Sequence, residues 1–117
     1  MIKVYGYKKC GTCRKAEKHF EAKGKKHEFI DITQNPPSQK GLKEIIALTE
    51  KPIEKFYNTS GVKYKEGNIK EKRKTLNLQE QIKLLTSDGY LLKRPLVTDG
   101  KKATVGFNQD EFDSVWK

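Results

Sequence analysis

Residues 7–15, which read YKKCGTCRK, contain the only two cysteines of this 117-residue chain, Cys10 and Cys13. The residues before this stretch alternate apolar and polar side chains as far as Gly6, which predicts a β-strand over 2–7. The residues after it carry apolar side chains at helical spacing, which predicts an α-helix. A Cys-x-x-Cys pair between a strand and a helix is typical of a redox site or a thiolate nucleophile.

The start of a helix favours an ionised cysteine. Unpaired backbone N–H groups there stabilise negative charge, and a cysteine at that point therefore forms a thiolate more easily. Neighbouring cations act in the same direction: Lys8, Lys9, Arg14 and Lys15. Gly11 allows a tight approach of the backbone, and Thr12 is a candidate N-cap of the helix. A second thiol within reach can resolve a mixed disulfide formed by the first.

The cysteine pair could also have a structural role. A structural zinc site needs about four ligands, and His19 and His27 do not fit the spacing of a zinc finger. A structural disulfide is possible, although closing so short a loop gives little stability. Two inert cysteines on a buried helix face are the plainest alternative, but the flanking Lys8-Lys9 and the intervening Gly11-Thr12 argue against it.

Composition sets limits on partners and location. The net charge is +10 and the sequence pI is about 9.6, which is compatible with nucleic acid, an anionic substrate or an acidic protein partner. The lysines are spread along the whole chain, so a solubilising coat is the favoured interpretation and we expect no direct nucleic-acid binding. No apolar run is long enough to span a membrane, and the first residues do not resemble a signal peptide. We therefore expect a cytoplasmic monomer.

The order of the remaining elements predicts the fold class. A second strand over 25–32 completes a right-handed βαβ unit with parallel strands. A helical insertion is predicted over about 38–88, with Ser38 capping its first helix and a capping box formed by Asn77 and Glu80. A β-hairpin turning at Asp99-Gly100 and a final helix over 110–116 follow. The prediction is a single α/β domain over 1–117 with a thioredoxin-like mixed sheet.

Arg94-Pro95 is the second pair of interest. In a thioredoxin-like arrangement, the residues that open the third strand face the loop that carries the cysteines. Proline is tolerated at the start of a strand, and its peptide bond could be cis. Arg94 can offer a planar set of donors to an oxyanion or a carboxylate, and its charge would help to ionise Cys10.

Several stretches together resemble the ArsC/Spx/MgsR family, the arsenate-reductase-like branch of the thioredoxin superfamily. They match in the family's order and run nearly from end to end: residues 7–16, 36–38, 58–61, 93–96 and 105–107. The resemblance implies a thioredoxin-like fold with a helical insertion, Cys10 as nucleophile, and a cis Arg94-Pro95 bond beside it. We expect Cys13 to resolve the intermediate as an intramolecular disulfide, and Gly11, Thr12 and Pro95 to contribute to substrate binding.

The resemblance points to two functions. Arsenate reductases of the glutaredoxin-linked type use one cysteine and three arginines that bind the oxyanion. Cys10 and Arg94 match, but residues 57–61 and 103–107 contain no arginine, so we expect a thiol oxidoreductase with inefficient arsenate reduction. Its reductant would be glutathione or a thioredoxin- or glutaredoxin-type protein, without a bound cofactor or metal. The alternative is an Spx-like redox-responsive regulator that binds the C-terminal domain of the RNA polymerase α subunit.

Overall fold

The strands form one mixed sheet. The structure is a computed structural model that describes every residue from Met1 to Lys117. Its strands are β1 (Ile2–Gly6), β2 (His27–Asp31), β3 (Leu96–Thr98) and β4 (Ala103–Val105). They lie in the order β2-β1-β3-β4. The β1–β2 pair is parallel, whereas the β1–β3 and β3–β4 pairs are antiparallel. The predicted mixed sheet is therefore confirmed.

Six helices accompany the sheet. They are α1 (Gly11–Ala22), α2 (Gln39–Thr49), α3 (Val62–Glu66), α4 (Ile69–Lys72), α5 (Leu78–Ser87) and α6 (Gln109–Val115). Short 3₁₀ turns at Ile53–Phe56, Arg73–Thr75 and Gly89–Leu91 complete the helical insertion. The insertion thus consists of several short pieces between β2 and β3, as the sequence pattern predicted.

The pleat of the central strands divides the apolar residues into two cores. Val4 and Val97 are paired across β1 and β3. Both belong to a core formed with Ala16 and Phe20 of α1, Phe112 of α6 and Trp116, which directly follows α6. The next pair in the register, Tyr5 and Leu96, faces the helical insertion. Because successive side chains of a strand point to opposite faces, the same two strands serve both cores.

Most predicted helix caps are confirmed. Ser38 accepts a hydrogen bond from the Gly41 N–H at 3.0 Å, and Asn77 and Glu80 form the capping box. The predicted role of Thr12 is wrong: α1 begins at Gly11, and its N-cap is Cys10, which makes no side-chain capping bond. The helix therefore starts two residues earlier than a threonine cap would allow, and this places Cys10 directly at its N-terminus.

Backbone hydrogen bonds fasten the insertion beside the start of β3. The Asn58 N–H donates to the Leu91 carbonyl and the Lys93 N–H donates to the Phe56 carbonyl, both at 2.8 Å. A β-bridge between Tyr57 and Leu92 lies between these bonds. The turn over 58–61 is consequently held next to Arg94, although the two are far apart in sequence.

None of the helices has the length and apolar character needed to cross a membrane.

Gly89 is a position where the fold has no room for a side chain. A Cβ atom there would overlap the backbone carbonyl of Ile32, which directly follows β2. We predict that Gly89→Ala lowers the free energy of unfolding by about 3 kcal/mol, because backbone atoms cannot yield as a flexible side chain can. Urea denaturation measures the loss.

Gly11→Ala is the matched control, since a Cβ at Gly11 meets nothing within 4 Å. This variant should be as stable as the parent protein or up to about 1 kcal/mol more stable. A Gly89→Ala variant that unfolds at the same urea concentration as Gly11→Ala would contradict the close contact with Ile32.

Candidate active site

Cys10 sits where β1 gives way to α1. Its N–H donates to the Tyr7 carbonyl at 2.9 Å, and its own carbonyl accepts the first helical bond, from the Arg14 N–H at 3.2 Å. The Arg14 side chain donates from Nε to the Lys8 carbonyl at 3.1 Å, which closes the loop before the helix. The Cys10 thiol is left half-buried at the positive end of a 12-residue helix.

Thr12 links the Cys10 sulfur to the start of β3. Its hydroxyl lies 3.1 Å from Cys10 Sγ and 3.4 Å from the Arg94 carbonyl oxygen. A hydroxyl has one proton to donate, and an ionised sulfur attracts that proton more strongly than a neutral carbonyl does. The threonine side chain is therefore placed to stabilise the thiolate, which is a different role from the predicted helix cap.

The surroundings of Cys10 favour its ionised form. Partial burial acts against charge and raises the pKa of Cys10. Hydrogen bonds from the Cys13 side chain, the Thr12 hydroxyl and the Cys13 backbone, together with the positive charge of Arg94, outweigh that effect. The pKa of Cys10 consequently lies below its ordinary value of 9.0.

Cys13 has the opposite character. It is only 1% exposed on the inner face of α1. Burial raises the pKa of the Cys13 thiol and the hydrogen bond to Cys10 raises it further, to about 12. A Cβ added to Gly6 would lie 2.9 Å from Cys13 Sγ and 3.1 Å from Phe29, so the thiol packs tightly against β1. From the flanking residues, neither cysteine was expected to lie on a buried helix face. This prediction is wrong for Cys13, which is buried, whereas Cys10 is only half-buried.

Both cysteines are free thiols, and the structure contains no disulfide between them. They nevertheless interact, since the Cys13 side chain is one of the groups that lower the pKa of Cys10. No three His, Cys, Asp or Glu side chains are grouped so that they could hold a metal ion. His19 is buried between Phe20 and Phe112, and its Nε2 lies 2.9 Å from the Trp116 carbonyl oxygen. This histidine is therefore a packing residue.

Arg94 lies beside the cysteine loop, just before β3 begins. The Arg94-Pro95 peptide bond is cis, as the family resemblance implied. The guanidinium lies over the Tyr7 ring, with Cζ 5.4 Å from the ring centroid. One of its nitrogens, Nη1, is buried and has no hydrogen-bond partner in the protein. An unpaired buried donor is costly, so the fold holds Arg94 at this position without satisfying all of its donors.

The other predicted site residues differ in their placement. Gly11 is exposed with open space around it, which leaves the approach to Cys10 clear. Pro95 is buried and its carbonyl accepts a hydrogen bond from the Gly106 N–H at 2.9 Å, so it supports the start of β3. The structure thus brings Cys10, Thr12 and Arg94 into direct or linked contact. Roles of Gly11, Thr12 and Pro95 in substrate binding remain predictions.

Sequence reasoning missed three residues around the site. The Tyr7 ring contacts the Arg94 guanidinium. The Tyr90 ring lies edge-on to the Tyr7 ring, with the two ring centroids 6.2 Å apart. Gly6 provides the space that Cys13 occupies. The glycine at the end of an apolar strand was a signal for such a close approach. Nothing in the sequence pattern marked the two tyrosines.

A thioredoxin-like sheet with a free dithiol at the first helix defines a class of protein, the thioredoxin-fold dithiol proteins. Within this class, the model of the ArsC family matches residues 5–115. The chain therefore belongs to the ArsC family, which confirms the resemblance drawn from the sequence.

Curated relatives cover most of the chain. The Bacillus subtilis protein YusI is 51% identical over 115 residues, 98% of both chains. The global transcriptional regulator Spx of Lactiplantibacillus plantarum is 30% identical over 111 residues, 95% of this chain and 83% of Spx. The regulatory protein MgsR of B. subtilis is 30% identical over 110 residues, 94% of this chain and 86% of MgsR. The family thus includes relatives named as regulators.

Solved structures agree with this assignment. A crystal structure of a possible arsenate reductase from Streptococcus mutans superimposes with a TM-score of 0.87 at 34% identity. The superposition covers 97% of this chain and 98% of the S. mutans chain. The protein therefore has an arsenate-reductase-like fold.

The contact between Thr12 and Cys10 leads to a test of cysteine reactivity. Iodoacetamide reacts with the thiolate, so alkylation of Cys10 should begin at a lower pH than for a thiol of pKa 9.0. Thr12→Val removes one hydrogen bond to the thiolate, which should raise the pKa and move the rate profile to higher pH. At neutral pH we expect the rate to fall roughly threefold to tenfold.

Mass spectrometry of the alkylated peptide measures the rate for Cys10 alone, and Cys13 should stay unmodified because it is buried. Thr59→Val is the control, since Thr59 is exposed in the turn over 58–61 and is not among the groups that shift the pKa of Cys10. Identical profiles for the two variants would show that the Thr12 hydroxyl does not stabilise the thiolate.

Proposed function

We propose that this protein is a thiol–disulfide oxidoreductase with Cys10 as nucleophile and Cys13 as resolving thiol. The observation that carries the proposal is the contrast between the two thiols. Cys10 is half-buried with a lowered pKa, and its neighbour Cys13 is buried with a pKa raised to about 12. Exchange needs one thiolate that can reach a substrate and a second thiol held in reserve.

In the first step, the Cys10 thiolate attacks a substrate disulfide R–S–S–R′. A Cys10–S–S–R bond forms, the substrate bond breaks, and R′ leaves as a thiolate. In the second step, the Cys13 sulfur attacks Cys10 Sγ, and its proton passes to the departing R thiolate. The products are a Cys10–Cys13 disulfide and R–SH, so the dithiol loses the two electrons that the substrate gains.

The positions of the two cysteines suit this sequence of steps. Because the second step is intramolecular, Cys13 needs contact with Cys10 and not with solvent. Arg94 adds positive charge beside the attacking sulfur and favours its ionised form. A small thiol such as glutathione, or a thioredoxin- or glutaredoxin-type protein, would then reduce the Cys10–Cys13 disulfide and complete the cycle.

We do not expect the protein to reduce arsenate efficiently. An arsenate oxyanion needs several cationic donors close to the sulfur, and Arg94 is the arginine whose charge acts on Cys10. Arg14 is bonded to the Lys8 carbonyl, and Arg73 lies against Tyr57 and Tyr64 in the helical insertion. The missing arginines of residues 57–61 and 103–107 are therefore not replaced by arginines from elsewhere in the chain.

Single cysteine variants test the assignment of roles. With a small aromatic disulfide as substrate, Cys10→Ser should abolish exchange, reducing the rate by about a hundredfold or more, because the buried Cys13 is neither ionised nor accessible. In the Cys13→Ser variant, Cys10 should still attack the aromatic disulfide. A stable mixed disulfide should then accumulate at Cys10, visible as added mass. A Cys10→Ser variant that reacts as fast as Cys13→Ser would overturn this assignment.

A second candidate is a redox-responsive regulator of the Spx kind, which would bind the C-terminal domain of the RNA polymerase α subunit. The relatives named Spx and MgsR, each 30% identical over nearly the whole chain, favour it. The same dithiol would serve as the sensor, since a Cys10–Cys13 disulfide would withdraw Cys13 from its contact with Gly6. The basic net charge suits an acidic partner.

A binding assay separates the two functions. If the protein is a dithiol enzyme, we predict that it turns over disulfides. We also predict that its binding to the isolated α-subunit domain does not depend on the oxidation state of Cys10 and Cys13. Calorimetry with reduced protein, with oxidised protein and with a Cys10→Ser, Cys13→Ser double variant measures this. Redox-dependent binding without turnover would instead establish the regulator.

A further inference from the structure

A groove of about 390 Å³ opens beside the start of β3. Its walls come from the turn before α3, from α3 itself, from the residue Tyr90 and from Arg94. Arg94 connects the groove to the reactive sulfur, because its carbonyl oxygen lies 3.4 Å from the Thr12 hydroxyl, which in turn lies 3.1 Å from Cys10 Sγ. Whatever is bonded to Cys10 during exchange therefore lies close to this groove.

Two apolar side chains in the groove are unusually exposed. Val62 is 67% exposed and Tyr90 is 40% exposed, and they are two of only four large hydrophobic residues with high exposure in the chain. Tyr7 extends the apolar surface towards the cysteine loop, since its ring packs edge-on against Tyr90. Neighbouring exposed apolar side chains beside a reactive group are typical of a binding surface.

Two cations accompany these apolar side chains. Lys63 lines the groove and is exposed, and no carboxylate lies within ion-pair distance of it. Arg94 also lines the groove, and its buried Nη1 lacks a hydrogen-bond acceptor. The lining residues include no acidic side chain. A carboxylate entering the groove would lie beside these two cations and would meet no acidic side chain in the lining.

We propose that this groove binds the polypeptide segment flanking the substrate disulfide, through one carboxylate and one aliphatic side chain. This inference rests on the proposed exchange at Cys10 and specifies its substrate class. An inorganic oxyanion would use the cations but would leave Val62 and Tyr90 uncovered. A small tripeptide thiol such as glutathione carries carboxylates but has no aliphatic side chain, so it would engage only half of the groove.

The chemistry follows the proposed first step. The Cys10 thiolate attacks the peptide sulfur of a peptide–S–S–aryl disulfide. A Cys10–S–S–peptide bond forms, and the aryl thiolate leaves with the electron pair of the broken bond. With an aryl group such as thionitrobenzoate, the leaving thiolate is coloured and gives the rate directly.

The test compares blocked short peptides whose central cysteine carries this aryl group. One pair has Asp on one side of the cysteine and Leu on the other, in both orders. The comparison compounds have Ala on both sides, Lys and Ala, or the glutathione sequence. We expect at least one Asp/Leu peptide to react about tenfold faster than the Ala/Ala peptide and the glutathione compound.

Two groove variants and two matched controls test whether the preference for the Asp/Leu peptide arises from binding in the groove. Val62→Ser, which removes an apolar contact, and Lys63→Glu, which reverses a charge, should each reduce the preference for the Asp/Leu peptide over the Ala/Ala peptide. Leu78→Ser changes another exposed apolar residue, on α5, and Lys83→Glu makes the same change in net charge outside the groove. Both controls should keep the full preference, which separates binding in the groove from the general attraction of a basic protein for acidic peptides.

The possible results distinguish this inference from the proposed function. If all compounds react at rates within about twofold of each other, or if the preference survives both groove variants, the inference is wrong and exchange at Cys10 stands. A faster reaction of the glutathione compound would also overturn it. If the protein reacts with none of the aryl disulfides, the proposed exchange itself fails, and the inference fails with it.

Discussion

The placement of Cys10 at the N-terminus of α1 is the constraint on which the rest of the site depends. The residue caps the helix through its backbone, and the side chain is left free beside the Thr12 hydroxyl. The helix can keep this position only because α1 packs closely on β1, where Gly6 leaves room for Cys13. One packing contact thus orients the helix, buries the second thiol and leaves the first one accessible.

The contrast between the two thiols follows from their environments and not from their chemical identity. Both have the same ordinary pKa, yet burial raises the pKa of Cys13 to about 12, whereas hydrogen bonds and Arg94 lower that of Cys10. The hydrogen bond between them contributes to both shifts, because a proton held on Cys13 stabilises negative charge on Cys10. Each cysteine therefore helps to define the state of the other.

The helical insertion gives the site its second half. Its backbone bonds to Leu91 and Lys93 hold the turn over 58–61 against the start of β3, where Arg94 lies. Together with Tyr90 and α3, this turn forms a groove that is both apolar and cationic. A sheet and two helices alone could hold the dithiol. The insertion adds the groove, and so determines what can lie next to the dithiol.

The elements whose signals are local could be predicted from the amino-acid sequence alone. The alternation in β1, the capping box at Asn77 and the turn at Asp99-Gly100 depend on near neighbours, and the family motifs around Cys10 and Arg94 are short. Tertiary structure decided the cap of α1, the burial of Cys13, and the contact of Tyr7 with Arg94. The physical reason is that burial and electrostatic environment come from residues distant in sequence: Thr12 and Arg94 are 82 positions apart and meet only in the folded chain.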